Sequence, residues 1–392
     1  MSTVKEILEN VRTNGDKVVL EYNISFDKNP SENFELTPAQ IKEAYSKVDK
    51  ETIDALKFAA KNIKTFALAQ MKQVKGFKMK TSFGVLEQKV IPLQRVGCYV
   101  PGGHYPLPST ALMTVIPAKV AGVKEVIVVS PNIKPVVIVA ASIAGADRIF
   151  NIGGVQAIGA LAYGTTQVPS VDKIVGPGNK YVAEAKKEVY GIVGIDFIAG
   201  PSEVLIVADE SGNPKLIAAD LLAQAEHDIN ARANLITTSQ KVATRVKVEL
   251  EKQLKELSTR AIAEQAISKS SIIVVKDVDV AIKMANEIAP EHLEIQLKNT
   301  SKILDKFYNY GSLFVGENSA ESLGDYCLGP NHTLPTSKSA RYAGGLSVRD
   351  FVKIVTIQNV LKKDKKLIQC AAKLADVEGL MGHKKSAEKR LK

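Results

Sequence analysis

Short β-rich apolar runs alternate with stretches of helical periodicity from about residue 96 onward. The runs fall at 97–100, 125–130, 148–151, 173–175 and 203–208, and helical spacing fills 110–121, 135–144, 155–163 and 179–190. A second series follows, with a helix over 214–226, a strand over 233–238, a helix over 242–257, a strand over 271–275 and a helix over 278–288. Strands spaced by helices in this way predict βαβ units and a parallel, doubly wound sheet. Two such series predict two sheets with a cleft between them. The stretch before them reads as helices over 4–22, 37–48 and 49–73, and the chain from Leu361 carries a charged amphipathic helical pattern suited to an arm. The expected fold is therefore α/β: two Rossmann-like doubly wound parallel-sheet domains with an N-terminal helical segment and a C-terminal helical arm. The expected divisions are 1–91 for the helical segment, 92–208 and 209–320 for the two sheet domains, and 321–392 for loops and the arm.

Composition narrows the class without changing this picture. The chain has 392 residues, 45% hydrophobic and 24% charged, the make-up of a globular protein with sizeable cores rather than a disordered one. No apolar run approaches the roughly 20 residues of a spanning helix, and the opening Met1-Ser2-Thr3-Val4-Lys5 begins an amphipathic pattern rather than a signal peptide. Cys98, Cys327 and Cys370 are odd in number and lack a Cys-x-x-Cys spacing, which argues against a disulfide framework and fits a reducing cytoplasm. The net charge of +10 raises nucleic-acid binding as a possibility, but the lysines are scattered over helix faces with no interleaved aromatic residues. A solvated Lys-rich surface is expected, with no nucleic-acid or membrane partner. Its positive potential attracts anions such as a dinucleotide.

Candidate chemistry centres on four of the five histidines: His227 in Gln224-Ala225-Glu226-His227-Asp228, His292 in Pro290-Glu291-His292, His332 after Asn331, and His383 after Glu378. Imidazole beside carboxylates suits metal binding and acid–base catalysis alike. Gln224 and His227, three apart on a helix opened by Pro214, share a face and can point at one ion. Asp325 and His383 are candidates for two further donors, a nitrogen- and oxygen-rich set suited to zinc or manganese. Glu291 and His292 would diverge on regular structure, so a joint role as general bases requires a bend at Pro290. No Gly-x-Gly-x-x-Gly occurs. Instead, glycine-rich junctions end several expected strands: Pro101-Gly102-Gly103-His104, Gly153-Gly154, Gly176-Pro177-Gly178-Asn179 and Ala199-Gly200-Pro201-Ser202. Ligands of open α/β sheets bind outside the carboxyl ends of strands, where glycine lets backbone N–H groups approach an anion.

Seven of these segments, in order and spacing, resemble histidinol dehydrogenase: Val100-Pro101-Gly102-Gly103, Gly176-Pro177-Gly178-Asn179, Ala199-Gly200-Pro201-Ser202-Glu203, Gln224-Ala225-Glu226-His227, Pro290-Glu291-His292-Leu293, Gly324-Asp325-Tyr326, and the stretch from Gly329 through His332 to Thr336. The resemblance runs from about Val96 to His383. It implies the last step of histidine biosynthesis: oxidation of L-histidinol through enzyme-held L-histidinal to L-histidine, with two NAD and one zinc ion (Zn2+) per active site. It implies zinc held by Gln224, His227, Asp325 and His383, the last from the partner's arm in a homodimer. His292 would be the base and Glu291 would activate water. Ser202, His332 and Glu378 would hold substrate alongside the zinc ligands and Glu291, while Tyr99, Gln156 and Asn179 would hold NAD. Three alternatives stay open: a relative oxidising another amino or sulfonated alcohol, a non-enzymatic zinc or nucleotide module, and nucleic-acid binding on net charge alone; Cys98 or Cys327 offers a rival mechanism through a thiohemiacetal.

Overall fold

In the computed structural model the described residues are 3–102, 105–198 and 200–391, so Gly103, His104 and Ala199 of the expected junctions lie outside them. Four helices come first: α1 (Val4–Asn14), α2 (Asp16–Asp27), α3 (Pro38–Ser46) and α4 (Lys50–Met71). The helix expected over 4–22 is thus two, divided at Gly15, whose positive φ ends α1 and starts α2. Strands β1 (Phe77–Lys80) and β2 (Gly84–Pro92) follow.

The first expected sheet comprises β3 (Arg95–Tyr99), α5 (Pro108–Ala121), β4 (Glu125–Val129), α6 (Pro135–Ala144), β5 (Arg148–Phe150), α7 (Gly154–Tyr163), β6 (Lys173–Val175), α8 (Lys180–Val189) and β7 (Gly194–Ile195). The second comprises β8 (Glu203–Ala208), α9 (Pro214–Ala225), β9 (Arg232–Thr237), α10 (Gln240–Glu256), α11 (Arg260–Ser268), β10 (Ile272–Val274), α12 (Val278–Ile288), β11 (His292–Gln296) and β12 (Ser312–Val315). Each sheet is parallel. The orders are β5-β4-β3-β6-β7 and β10-β9-β8-β11-β12, so both run third, second, first, fourth, fifth, the winding of a nucleotide-binding Rossmann sheet. The strand at 203–208, expected to close the first series, is instead the central strand of the second sheet. Its six residues are all buried, as a centre between β9 and β11 requires.

The short helix α13 (Glu321–Tyr326), β13 (Val352–Val360), α14 (Lys365–Val377) and α15 (Met381–Glu388) complete the chain. Two compact units result: the chain up to Met71 with Leu93–Phe351, and Lys72–Pro92 with Val352 onward. The expected helical segment is therefore not separate. Val4, Ile7, Leu8 and Val11 of α1 and Val18 and Val19 of α2 are buried in one core with Phe150, Ile158 and Leu161 of the first sheet layer. The expected arm is likewise part of a unit with its own antiparallel sheet, β1-β2-β13, in which β13 pairs with β2 from Val352↔Pro92 to Val360↔Gly84. Asp364 caps α14, and Gly379, at positive φ, lies in the break before α15. Among the described residues no helix is long and apolar enough to cross a membrane.

Candidate active site

The two sheets present polar groups at different ends. In the first, the glycine-rich junctions stand at the carboxyl ends of the strands: Tyr99 is the last residue of β3, Gly154 opens α7 after β5, and Gly176 follows β6. Gly176 has φ +111°, and a Cβ there would collide with the Tyr99 carbonyl, so the close approach of β3 and the β6 turn requires glycine. In the second sheet the cluster lies at the amino ends. Glu203 and His292 are the first residues of the adjacent strands β8 and β11, where the strand order reverses. Gln224 reaches this edge because α9 runs back from the carboxyl end of β8, and α13 brings Glu321 and Asp325.

His292 is buried among carboxylates. Its Nδ1 lies 3.2 Å from the Glu203 carbonyl oxygen, 3.8 Å from Glu291 Oε2 and 3.7 Å from Glu321 Oε1; Nε2 faces Asp325 Oδ1 at 3.3 Å without a well-aligned hydrogen bond. The carbonyl can only accept, so Nδ1 donates to it, and Nε2 becomes a base only when the ring is neutral, the state that a cation bound beside these carboxylates favours. Glu291 Oε2 accepts from the Glu203 N–H at 2.9 Å. With its amide turned to satisfy both neighbours, buried Gln224 donates to Glu321 Oε1 and accepts from the Glu203 N–H.

Burial sets the protonation of this cluster. It pushes the Glu291 carboxyl up to about 7, against the pull of His292 and the Glu203 N–H, and drives Glu321 well above its ordinary range. For His292 burial acts downward, but Glu321, Glu291 and Asp325 together outweigh it and hold the imidazole well above its usual value. Asp325 is held low despite its burial, by His292 and the charges of His332 and His227. Burial keeps His332 low; its Nδ1 donates to the Asp325 carbonyl at 2.8 Å. Buried carboxylates thus outnumber the imidazoles that offset them, an environment that attracts a cation. One nitrogen of His292 and one oxygen each of Glu321 and Asp325 lie within 4.8 Å of one another, with geometry open to a metal ion. Beside them is a cavity of about 250 Å³ lined by His292, Ser312, Asp325, Asn331 and His332, sized for a small molecule.

A second cleft, of about 1230 Å³, lies at the carboxyl ends of the first sheet. It is lined by Tyr99, Gln156 and Asn179 together with Gly102, Gly154 and residues of α1 and α2. The Tyr99 hydroxyl accepts from the Gly154 N–H at 3.1 Å, and Asn179 caps α8 by accepting from the N–H groups of Tyr181 and Val182.

The profile of the histidinol dehydrogenase family matches residues 1–391. The chain belongs to this family. The chain is 48% identical to histidinol dehydrogenase of Thermus thermophilus over 99% of its length and 93% of the relative's, and 45% identical to that of Methanocaldococcus jannaschii over 100% and 92%. The crystal structure of histidinol dehydrogenase from Elizabethkingia anophelis superposes with a TM-score of 0.94 at 38% identity, covering 99% of this chain and 91% of that one. Histidinol dehydrogenases are NAD-dependent oxidoreductases, and so the chain is an enzyme of that class.

Of the residues that the family resemblance named, Gln224, Glu291, His292, Asp325 and His332 come together at the amino edge of the second sheet. His227 lies exposed just past the end of α9, close enough for its charge to act on Asp325. Ser202 immediately precedes β8, half-buried, with its carbonyl accepting from Arg232. Glu378 and His383 belong to the second unit, where they line a shallow hollow with Leu374 and Leu380. The expected bend before His292 is present: Ala289 ends α12 in the left-handed region and Pro290 follows. Two members of the cluster, Glu203 and Glu321, were not expected. Glu321 stands four residues before Asp325, a helical spacing that places both on one face and was available as a signal. Glu203 stands in one of the segments that carry the resemblance, but nothing in the sequence gives it a role beyond its strand. Cys98 is buried and its thiol is pushed up to about 12, which removes the thiolate that a cysteine mechanism through it needs.

Proposed function

We propose that this protein oxidises L-histidinol, through bound L-histidinal, to L-histidine with two NAD and one zinc ion per active site, the last step of histidine biosynthesis, in the reducing cytoplasm. The observation carrying the reading is His292, buried with Nδ1–H on the Glu203 carbonyl and Nε2 facing Asp325, beside Glu291 and a small cavity.

In the first oxidation the substrate hydroxyl gives its proton to His292 Nε2 as the carbinol hydride leaves for the nicotinamide ring. The Glu203 carbonyl fixes the ring so that Nε2 meets the reacting group, and Asp325, 3.3 Å away, stabilises the imidazolium. In the second, Glu291 takes a proton from water as the water oxygen adds to the aldehyde carbon. The His292 imidazolium returns its proton to the former carbonyl oxygen, which completes the hydrate and leaves the ring neutral; the hydrate then loses a proton to His292 and a second hydride to a second NAD. Phe314, 6.0 Å ring to ring from His292, supplies an apolar wall of the cavity beside the base.

The zinc ligands in this reading are Gln224, His227 and Asp325 with His383 supplied by the partner of a homodimer. Imidazole, carboxylate and amide donors fit that ion, and the excess of buried carboxylate calls for its charge. These residues would hold a zinc ion that would supply a template for the substrate's nitrogen donors, leaving the carbinol to His292 and Glu291. Ser202, His332 and the partner's Glu378 hold the remaining polar groups of the substrate. Tyr99, Gln156 and Asn179, gathered on the larger cleft, hold NAD. Chelating the purified protein and restoring it with zinc tests the reading: turnover of L-histidinol should disappear and return. Turnover unaffected by full zinc removal would contradict it.

A further inference from the structure

We propose that Asp27, at the end of α2, selects NAD by receiving the hydroxyls of its adenine-side ribose and rejecting a dinucleotide with a 2′-phosphate. This rests on the reading of the larger cleft as the NAD site.

In a Rossmann sheet the ribose hydroxyls meet a carboxylate near the end of the second strand. Here that strand is β4, and the residues after it, Ser130-Pro131-Asn132, offer none. Asp27 occupies the place from outside the sheet: its backbone carbonyl accepts from Asn132 Nδ2 at 2.6 Å, so the end of α2 is tied to the end of β4. Its carboxylate faces the cleft, where Oδ2 lies 3.3 Å from Gln156 Nε2. Gln156, 1% exposed, also donates to Asn23 Oδ1 at 3.2 Å, and so holds the Asp27 carboxylate in place from the buried side of the cleft wall. The charged residues lining the cleft, among the described residues, are Glu21, Asp27 and Glu184, with no lysine or arginine. A ribose diol can donate to the Asp27 carboxylate. A phosphate on the same oxygen brings two further negative charges beside a carboxylate and no cation to receive them.

The test is calorimetric titration of the protein, without L-histidinol, with NAD and with NADP, repeated on Asp27→Asn and Asp27→Ser, with steady-state rates for both dinucleotides alongside. Wild type should favour NAD strongly. Asp27→Asn should weaken NAD, tighten NADP and narrow the ratio by roughly 10- to 100-fold, the weight of hydrogen bonds to a charged group. Asn keeps the backbone acceptor for Asn132 and a side-chain oxygen for Gln156, and circular dichroism checks that both variants fold. A ratio unchanged in both folded variants, or one that moves only in Glu184→Gln, overturns the inference while leaving the cleft as the NAD site. Wild-type protein that turns over L-histidinol, yet whose NAD affinity is indifferent to a Gln156→Ala change, overturns the cleft reading itself, and the role of Asp27 falls with it.

Discussion

Glu291→Gln separates the two oxidations. The substitution keeps the side-chain shape and an oxygen that accepts from the Glu203 N–H, but removes the group that takes a proton from water. A general base of this kind contributes roughly 10²–10⁴-fold, so oxidation of supplied L-histidinal should slow by that factor while oxidation of L-histidinol to the aldehyde, which uses His292, loses less than about tenfold. In wild type the aldehyde step should fall as pH drops through about 7, where Glu291 takes up its proton, and in the variant that limb should vanish. Stability should move the other way. In chelator-treated protein, between pH 4.5 and about 7, the folded state holds a proton on Glu291 that the unfolded chain has released, so raising pH through this window costs stability. The gap is worth about 3 kcal/mol, and because Glu291 is 6% exposed solvent screens little of it. Glu291→Gln has no such proton to lose, and urea unfolding should find it more stable than wild type at pH 8 by up to about 3 kcal/mol, the difference fading toward pH 4. Equal losses in both oxidations, or a variant less stable at pH 8 than wild type, would refute this assignment of Glu291.

Three further outcomes follow from the same geometry. In chelator-treated protein at pH 7.5, ¹⁵N NMR should find His292 as imidazolium, since Glu321, Glu291 and Asp325 hold it charged, and zinc addition should neutralise it; a ring already neutral without metal would contradict the electrostatics. Mixing His383→Ala with His227→Ala chains should restore some zinc and turnover if ligands come from two subunits, and no recovery would place all ligands on one chain. Lys186→Met strands the buried Asp196 carboxylate and removes a 2.9 Å bond to the Gly176 carbonyl; it should cost about 3–5 kcal/mol in urea unfolding, most of it recovered by adding Asp196→Asn, which still accepts from the Gly176 N–H.

The parallel sheets were legible because their strands are continuous apolar runs, such as Val126 to Val129 and Leu205 to Val207, whose burial on both faces leaves no other periodicity. Membership was not: 203–208 follows the first series in sequence, and only its pairing with β9 and β11 assigns it to the second. The β1-β2-β13 sheet escaped notice because its strands are half-exposed, with Lys78, Lys80, Glu87 and Lys89 interrupting any apolar pattern, and because β2 and β13 lie some 260 residues apart, 84–92 against 352–360. In the site, histidines drew attention by rarity, five in the chain, whereas Glu203 and Glu321 are two carboxylates among 42 acidic residues and are distinguished only by burial. The amino-edge position of the second cluster runs against the carboxyl-end rule, whereas the larger cleft of the first sheet lies at its carboxyl ends. Gln224 and α13 explain it, since both approach from elements that return to that edge.

A four-electron oxidation at a zinc site has a fixed stoichiometry. Purified protein given L-histidinol and excess NAD should form two NADH for each L-histidine, with no free aldehyde accumulating, and should do so only when zinc is present. One NADH per substrate with aldehyde released, or no NADH from L-histidinol by zinc-loaded protein, would contradict the account.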